Sequence, residues 1–352
     1  MEKNSSNYHI LIKAKNNSKK KLTGIMFTRS CCSIGIVFYH FFGLSKGKFK
    51  LLRKTANSTW GFIFVTIFFS ISGSVFYYNY PKIKSIKGFY FKRWKSILLP
   101  YYICFFYFFL QNVFFFHKLF YKGHWSKLIF TLFGLDGFLN YRFKTYYIIG
   151  EWFLGALIII YLIYPILTSL ISQNILIIHF IIYFCYLLMY KTNFFIISKD
   201  KNMFSSINSF YFGMLGIKFS ELFLNKISFL LSFILFIYLY FIKISNFILI
   251  FQIQGFALYI ILVQIGQYIM SSRVQSIFIE VNNISYFIFL VHHKIILKVL
   301  AIYNPTKYYL QMELLGITII LTIICSKIFF IINNSIIQSN IIKKMESFFL
   351  KV

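Results

Sequence analysis

Stretches of about twenty apolar residues, separated by short basic segments, recur along this 352-residue chain. A helix rises about 1.5 Å per residue, so about 20 such residues cross the hydrocarbon core of a bilayer. Hydrophobic residues make up 59% of the sequence and charged residues 13%, whereas a soluble domain is about one quarter charged. The chain therefore has too little polar surface for a water-soluble domain. The sequence predicts an all-α polytopic integral membrane protein.

Ten segments are long and apolar enough to be predicted as transmembrane helices. They are 25–44, 60–78, 97–117, 146–170, 174–191, 203–219, 227–243, 247–270, 284–302 and 314–335. The expected organisation is a basic tail over 1–24, a membrane domain over 25–335 and a short second tail over 336–352. The longest connection, 118–145, contains an apolar piece at 128–139 that is too short to cross, and we expect it to be re-entrant or interfacial.

Two basic segments set the predicted orientation. The tail 1–24 and the loop 79–96 each contain six Lys or Arg residues, and short loops rich in these residues stay in the cytoplasm. An even number of spans places the second tail on the same side. We therefore expect a multi-pass protein of the cell membrane, in bacteria the cytoplasmic membrane, with both termini in the cytoplasm.

The formal net charge of +29 raises the question of a nucleic-acid partner. Basic residues that bind nucleic acid gather on one folded polar face, whereas here they are scattered between apolar runs. We expect them to contact anionic headgroups of membrane lipids, where each contributes about 1 kcal/mol, and we expect no nucleic-acid partner. The five cysteines lie in apolar segments and lack metal-ligand spacing, so no metal is expected.

Arg29 and His40 lie within the first predicted span. Ionisable side chains inside a bilayer are costly and therefore mark candidate functional sites. The two residues are eleven positions apart, or about three turns, so both face one side of the helix about 16 Å apart. The alternative is that each side chain extends from near its own end of the span to the lipid headgroups.

A run of small and hydroxylic residues lies in the second predicted span: Ser70, Ser72, Gly73 and Ser74. Such residues let two membrane helices approach closely. A nucleophilic serine is the alternative, but it needs a base as partner, and no local triad pattern provides one. The sequence therefore favours helix packing for this segment.

Three further segments carry ionisable groups at or within predicted spans. The basic run Lys92–Lys95 opens the third span, and its three cations suit either a polyphosphorylated ligand or lipid headgroups. Glu151, one of only eight acidic residues, begins the fourth span and either orients a histidine or lies at the interface. His292, His293 and Lys294 form a cluster in the ninth span that packing alone does not explain.

Together these segments resemble the acyltransferase family 3 membrane proteins, which O-acylate bacterial surface glycans and related lipids. Five motifs follow one another in the family's order over about residues 25–335: Arg29-x10-His40, Phe68–Gly73, Phe91–Tyr101, Glu151–Leu154 with Tyr161 and Pro165, and Ser285–His292. The basic run is most similar to the subgroup that modifies intercellular polysaccharides. Two departures stand out: Lys95 and Ser96 occupy positions where many relatives carry a second arginine, and Phe289 replaces a usual tyrosine.

The resemblance implies a membrane O-acyltransferase. The acyl donor would be an acyl-coenzyme A, usually acetyl-coenzyme A, and the acceptor a hydroxyl of a polysaccharide or lipid-linked glycan. His40 is then the expected base or transient acyl carrier, Arg29 a cation that positions the donor, and His292 a second catalytic candidate near the acceptor. Three cations are expected to bind the phosphates of the coenzyme: Lys92, Arg93 and Lys95.

A glycan exporter or flippase is the alternative function, since some proteins of the subgroup have been described as exporters. In that case the same basic residues would line a conduit and no acyl group would move. Both functions predict ten spans, but only the transferase requires acetyl-coenzyme A. A purely structural membrane protein would leave Arg29, His40 and the cluster at 292–294 unexplained.

Overall fold

The computed structural model describes residues 2–46, 53–117, 124–146, 148–192, 201–244, 249–269 and 272–350. Every regular element in these ranges is a helix, and the one β-type pairing is an isolated bridge between Lys54 and Thr59. The predicted all-α class is confirmed.

Each of the ten segments predicted as spans falls on a helix. These helices are α1 (Glu2–Leu44), α2 (Trp60–Asn79), α4 (Leu99–Phe116), α7 (Trp152–Gln173), α8 (Ile175–Thr192), α9 (Met203–Lys218), α11 (Lys226–Phe241), α12 (Ile250–Tyr268), α13 (Ser272–Ile302) and α14 (Tyr308–Ile337). The shorter helices are α3 (Ile86–Arg93), α5 (Leu128–Leu132), α6 (Asp136–Leu139), α10 (Ser220–Phe223) and α15 (Asn340–Leu350).

Seven helical segments in the described part of the chain are long and apolar enough to cross a membrane. They are Leu22–Leu44, Trp60–Asn79, Ile86–Phe115, Trp152–Ile171, Ile250–Tyr268, Val274–Ile302 and Tyr308–Ile337. The other three predicted spans fall on α8, α9 and α11, whose apolar stretches are shorter. The protein is therefore a polytopic membrane protein, and the count of ten spans stays a prediction.

Several helices begin earlier than the sequence predicts, among them α13 at Ser272 and α14 at Tyr308. α1 begins at Glu2, so the segment predicted as a basic tail is helical and continues into the first span. The third span is preceded by α3 and a π-helical turn at Trp94–Leu98, which lead into α4 without a break. Pro100 lies just after this π-helical turn; because proline has no backbone N–H, it removes one hydrogen bond to the preceding turn of the continuous helix.

Small residues bring α2 and α9 into backbone contact. A Cβ atom at Gly73 would collide with the carbonyl oxygen of Phe210, and one at Gly213 with that of Ser70. The buried hydroxyls of Ser70 and Ser74 donate to backbone carbonyls of α9 at 3.0 and 2.8 Å. These hydroxyls therefore join two helices, as the packing interpretation of this segment requires.

α1 lies at the centre of the bundle, in contact with α2, α12, α13 and α14. The Ser30 hydroxyl donates to the carbonyl of Phe278 at 2.8 Å and so ties α1 to α13. This contact holds α1, which carries Arg29 and His40, against α13, which carries His292 and His293.

Candidate active site

Three histidines meet where α1 contacts α13. The ring centroid of His40 is 5.2 Å from that of His292 and 4.0 Å from that of His293. The rings of His292 and His293 are 4.7 Å apart, and His292 is buried with 1% of its surface exposed. The first-span and ninth-span histidines, which the sequence marks separately, therefore belong to one cluster.

The hydrogen bonds of His292 define its protonation. Its Nδ1 atom lies 2.8 Å from the carbonyl oxygen of Phe289 and 3.0 Å from that of Ile288. Carbonyl oxygens only accept hydrogen bonds, so Nδ1 carries the proton and Nε2 of the neutral ring keeps its lone pair. This Nε2 atom is buried and has no hydrogen-bond partner among the described residues. It is therefore suited to accept a proton from a substrate hydroxyl.

Glu151 extends the histidine cluster. Its Oε1 atom lies 3.2 Å from Nε2 of His293, and the residue stands immediately before α7. The sequence leaves two positions open for Glu151, beside a histidine or at the membrane interface, and this geometry agrees with the first. A carboxylate at this distance from an imidazole stabilises the protonated form of the ring. Glu151 thus neighbours His293, and His293 neighbours His40. The carboxylate can therefore stabilise a positive charge on these imidazoles.

The short helix α6 supports the start of α7. A Cβ atom at Gly137 would collide with the backbone of Gly150 and Glu151, so the two segments are in close contact. Asp136 is buried at the beginning of α6 and accepts a hydrogen bond from the Tyr101 hydroxyl at 3.1 Å. The apolar piece within the longest connection is therefore packed against the helix that carries Glu151.

Asp136 should make the stability of this support depend on pH. Burial raises the pKa of its carboxyl, because the ionised form loses its water. The folded protein then holds this proton more tightly than the unfolded chain, in which the pKa of Asp is about 3.9. The contribution of this group to stability should be fully present below about pH 4 and be lost as the pH rises through the folded-state pKa. We expect Asp136→Asn to remove this decline in thermal unfolding of detergent-solubilised protein, and an unaltered pH profile would contradict the assignment.

A cavity of 240 Å³, here called the arginine cavity, brings together two cations that lie far apart in sequence. Arg29 of α1 and Arg93 of α3 both line it, along with Ser72, Tyr161 and Ser285. Two guanidinium groups facing one cavity of mostly apolar lining are a suitable environment for an anionic group such as phosphate. The first-span arginine and the arginine of the basic run therefore belong to one binding region.

Aromatic rings hold Arg93 in place. Its guanidinium carbon lies 4.7 Å from the ring centre of Phe76, 5.2 Å from that of Tyr80 and 5.8 Å from that of Phe89. Its Nη2 atom donates to the Tyr80 hydroxyl at 3.2 Å, while Nε is buried and has no hydrogen-bond partner among the described residues. The rings stabilise the planar cation and leave donors for a ligand.

The two lysines of the basic run lie outside the arginine cavity, whose lining does not include Lys92 or Lys95. Lys95 pairs with Glu346 of α15 at 2.7 Å, and Phe349 of the same helix stacks on Phe91 with centroids 5.0 Å apart. The C-terminal helix thus covers part of the basic run. A role of Lys92 and Lys95 in binding the coenzyme stays a prediction.

A second cavity, of 200 Å³, is lined by two of the three clustered histidines and is here called the histidine cavity. Its lining includes His40, His292 and Glu151, together with Tyr39 and Lys201. The sequence analysis did not single out Lys201, because it lies in a connection and nothing in the local pattern distinguishes it from other loop lysines. In the folded protein it lines the histidine cavity beside His40 and His292.

The two cavities follow one another along the same four helices, α1, α2, α7 and α13. Phe68, Phe153 and Phe289 line both of them and form a shared partition, here called the phenylalanine wall. Along α1 the lining runs from Arg29 to His40, a distance of about 16 Å at the rise of a helix. The arrangement therefore reaches across about half of the roughly 30 Å hydrocarbon core.

The histidine cluster is also the place where a metal ion could be held. His40, His292 and His293 each offer a ring nitrogen, and these atoms all lie within 4.8 Å of one another. Zinc binds imidazole nitrogens at about 2.0–2.1 Å. Three ring nitrogens bound to one zinc ion would therefore lie closer to one another than 4.8 Å. The expectation of no metal stays a prediction, which metal analysis of the purified protein can test.

The protein is an apolar helical bundle that spans a membrane. It encloses histidines, a carboxylate and two arginines in two adjoining cavities, which are groups that an enzyme could use. A family model described as an acyltransferase domain matches residues 22–331, and the chain belongs to this family, acyltransferase family 3. No curated protein and no solved structure matches the chain. The protein is thus a membrane acyltransferase, and the resemblance seen in the sequence is confirmed for the family. The polysaccharide-modifying subgroup stays a prediction.

Proposed function

We propose that this protein transfers an acyl group, most simply acetyl, from acyl-coenzyme A to a hydroxyl of a cell-surface polysaccharide or lipid-linked glycan. The observation that carries the proposal is the pair of cavities joined at the phenylalanine wall. Arginines line one cavity and histidines line the other. Such a pair provides separate places for an anionic donor and for the chemistry of a hydroxyl.

The donor enters at the arginine cavity. Arg93 belongs to the loop 79–96, which the distribution of basic residues assigns to the cytoplasm together with both termini. Acyl-coenzyme A is made in the cytoplasm, and Arg29 and Arg93 would offset the charge of its phosphates. The arginine cavity of 240 Å³ is smaller than the about 300–1,000 Å³ of a pocket for a drug-sized ligand. The whole coenzyme does not fit in this volume, so the adenosine stays outside while the diphosphate approaches the two arginines and the thioester arm enters.

The reaction takes place in the histidine cavity. His40, with His292 as the second candidate, removes the proton of the acceptor hydroxyl, and the oxygen attacks the thioester carbonyl carbon. The Lys201 ammonium in the same cavity is placed to stabilise the negative oxygen of the tetrahedral intermediate. The C–S bond then breaks, the ester remains on the acceptor, and the thiolate of coenzyme A receives the proton from the histidine. Glu151 stabilises the protonated imidazoles through His293.

Transfer of label tests the proposal. Membranes that contain the protein and its host's glycans would be incubated with acetyl-coenzyme A labelled in the acetyl group, with membranes of a deletion strain as the control. Label in glycan that is released by mild base, and that depends on the protein, is the expected result. The absence of label from glycan in the presence of intact protein would remove this function.

Export of glycan is the rival function, and the arginine and histidine cavities do not have the dimensions it would need along their path. A conduit for a sugar chain must admit a strand of rings, whereas the two cavities hold 240 and 200 Å³ and are separated by three phenylalanines. The deletion strain distinguishes the two functions. Glycan that reaches the surface without acetyl groups supports transfer, and glycan that accumulates inside the cell supports export.

Arg93→Ala should weaken binding of the donor. A charge-assisted hydrogen bond contributes about 1.5–3 kcal/mol, so we expect the donor KM to rise about ten- to one hundredfold, with a smaller change in kcat. Initial rates over a range of acetyl-coenzyme A concentrations measure the effect. Arg142→Ala, which removes an exposed arginine outside the cavity, is the matched control. An unchanged donor KM in Arg93→Ala would favour the alternative in which Arg93 contacts lipid headgroups.

A further inference from the structure

We propose that Phe68, Phe153 and Phe289 determine which acyl groups this protein transfers, by limiting the length of the chain that passes from the arginine cavity to the histidine cavity. The inference rests on the proposed function, because it concerns the acyl group of the same donor. It assigns the specificity to three side chains that have no role in the proton transfers.

The position of the three rings supports the proposal. Each comes from a different helix, α2, α7 or α13, and each lines both cavities. The ring centroid of Phe153 lies 6.0 Å from that of Phe68 and 5.3 Å from that of Phe289. The rings therefore touch one another across the path from Arg29 to His40. A thioester that enters beside the arginines has to pass them before it reaches a histidine.

Phe289 lies beside His292. Its centroid lies 6.3 Å from that of His292, and the carbonyl of the same residue accepts the Nδ1 proton of His292. Phe153, by contrast, is fixed from behind by Phe69 at 4.6 Å and is 8% exposed. Among these rings Phe289 is therefore the one whose removal would enlarge the space beside the reacting carbonyl.

The volume of the histidine cavity limits the acyl group. It holds 200 Å³, less than the about 300–1,000 Å³ of a pocket for a drug-sized ligand. The acyl carbons, the sulfur and the acceptor hydroxyl with its ring carbon use most of this room. Acetyl fits, whereas each further methylene has to displace part of the acceptor or one of the rings. The geometry points to a short-chain acyl-coenzyme A as the donor.

The test compares donors of increasing length. Acetyl-, butyryl- and hexanoyl-coenzyme A, each labelled in the acyl group, are offered to membranes that contain the protein and native glycan. We expect the unaltered protein to prefer acetyl. Admitting one methylene group that a pocket had excluded changes kcat/KM about tenfold or more. Phe289→Ala should therefore raise the ratio of kcat/KM for hexanoyl- over acetyl-coenzyme A by at least that factor. Phe289→Tyr keeps the ring and should leave the ratio unchanged.

Phe184→Ala is the matched control, because Phe184 is half exposed on α8 and lines neither cavity. If Phe289→Ala does not accumulate, Phe68→Ala is measured in the same way. An unchanged ratio in an alanine variant that still transfers acetyl would overturn the assignment of the wall. A preference for hexanoyl in the unaltered protein would overturn it as well. If no acyl-coenzyme A labels the glycan, the proposed function itself fails, a result distinct from an unchanged ratio.

Discussion

Replacing His40 by alanine should abolish acyl transfer and leave the protein in the membrane. His40 is the member of the histidine cluster on the central helix, within 5.2 Å of His292 and 4.0 Å of His293 between ring centroids. The loss of a general base lowers the rate about 10²–10⁴-fold. Alanine enters a bilayer more readily than histidine, so insertion should not suffer. Transfer of labelled acetyl to glycan, normalised to the amount of protein in the membrane, measures the effect.

Two variants accompany this experiment. His179→Ala removes an exposed histidine from α8, another apolar helix, and should leave transfer unchanged. Arg29→Lys keeps the positive charge of the arginine cavity but loses the planar fork of donors, so it should reduce transfer less than His40→Ala does. If His40→Ala is present at normal abundance and acylates glycan at the unaltered rate, the assignment is wrong. His292 then becomes the leading candidate for the base.

The fold class follows from the sequence because the bilayer demands it. Backbone N–H and C=O groups inside hydrocarbon must be satisfied within the chain, so an apolar run of about 20 residues has few choices besides a helix. The spacing of Arg29 and His40 follows in the same way from the regular rise of a helix. Helix ends are less predictable. The helix of α1 continues back to Glu2 because polar residues remain compatible with helix beyond the apolar run.

The composition of the site is only partly readable from the sequence. Ionisable residues inside apolar runs are conspicuous, so Arg29, His40 and His292 can be singled out one by one. Their grouping is not readable, because a membrane helix that is apolar on all sides has no stripe that indicates its neighbours. The pairing of Glu151 with His293 and the position of Lys201 beside them depend on tertiary packing. The same holds for Lys95, which the fold pairs with Glu346.

The approach of α2 to α9 connects the sequence, the fold and the site. α2 contributes Ser72 to the arginine cavity and Phe68 to the phenylalanine wall. The other side of the same helix is pressed against α9, where a Cβ atom at Gly73 would collide with the carbonyl oxygen of Phe210. A backbone atom cannot rotate away as a side chain can. Any side chain at Gly73 must therefore push the helices apart and shift the residues that line both cavities.

Gly73→Val should consequently prevent stable folding. Overpacking a core costs about 1–3 kcal/mol, and more where the backbone has to move, against a total stability of about 5–15 kcal/mol. We expect less than about a tenth of the normal amount of monodisperse protein after extraction in mild detergent, measured by size-exclusion chromatography with fluorescence detection. Gly316→Val is the matched control: it makes the same substitution in α14, where no heavy atom lies within 4 Å of the added Cβ. The valine's lower helix propensity is common to both variants, so only the collision distinguishes them. Normal yield and elution of Gly73→Val would mean that α2 and α9 do not meet at this glycine.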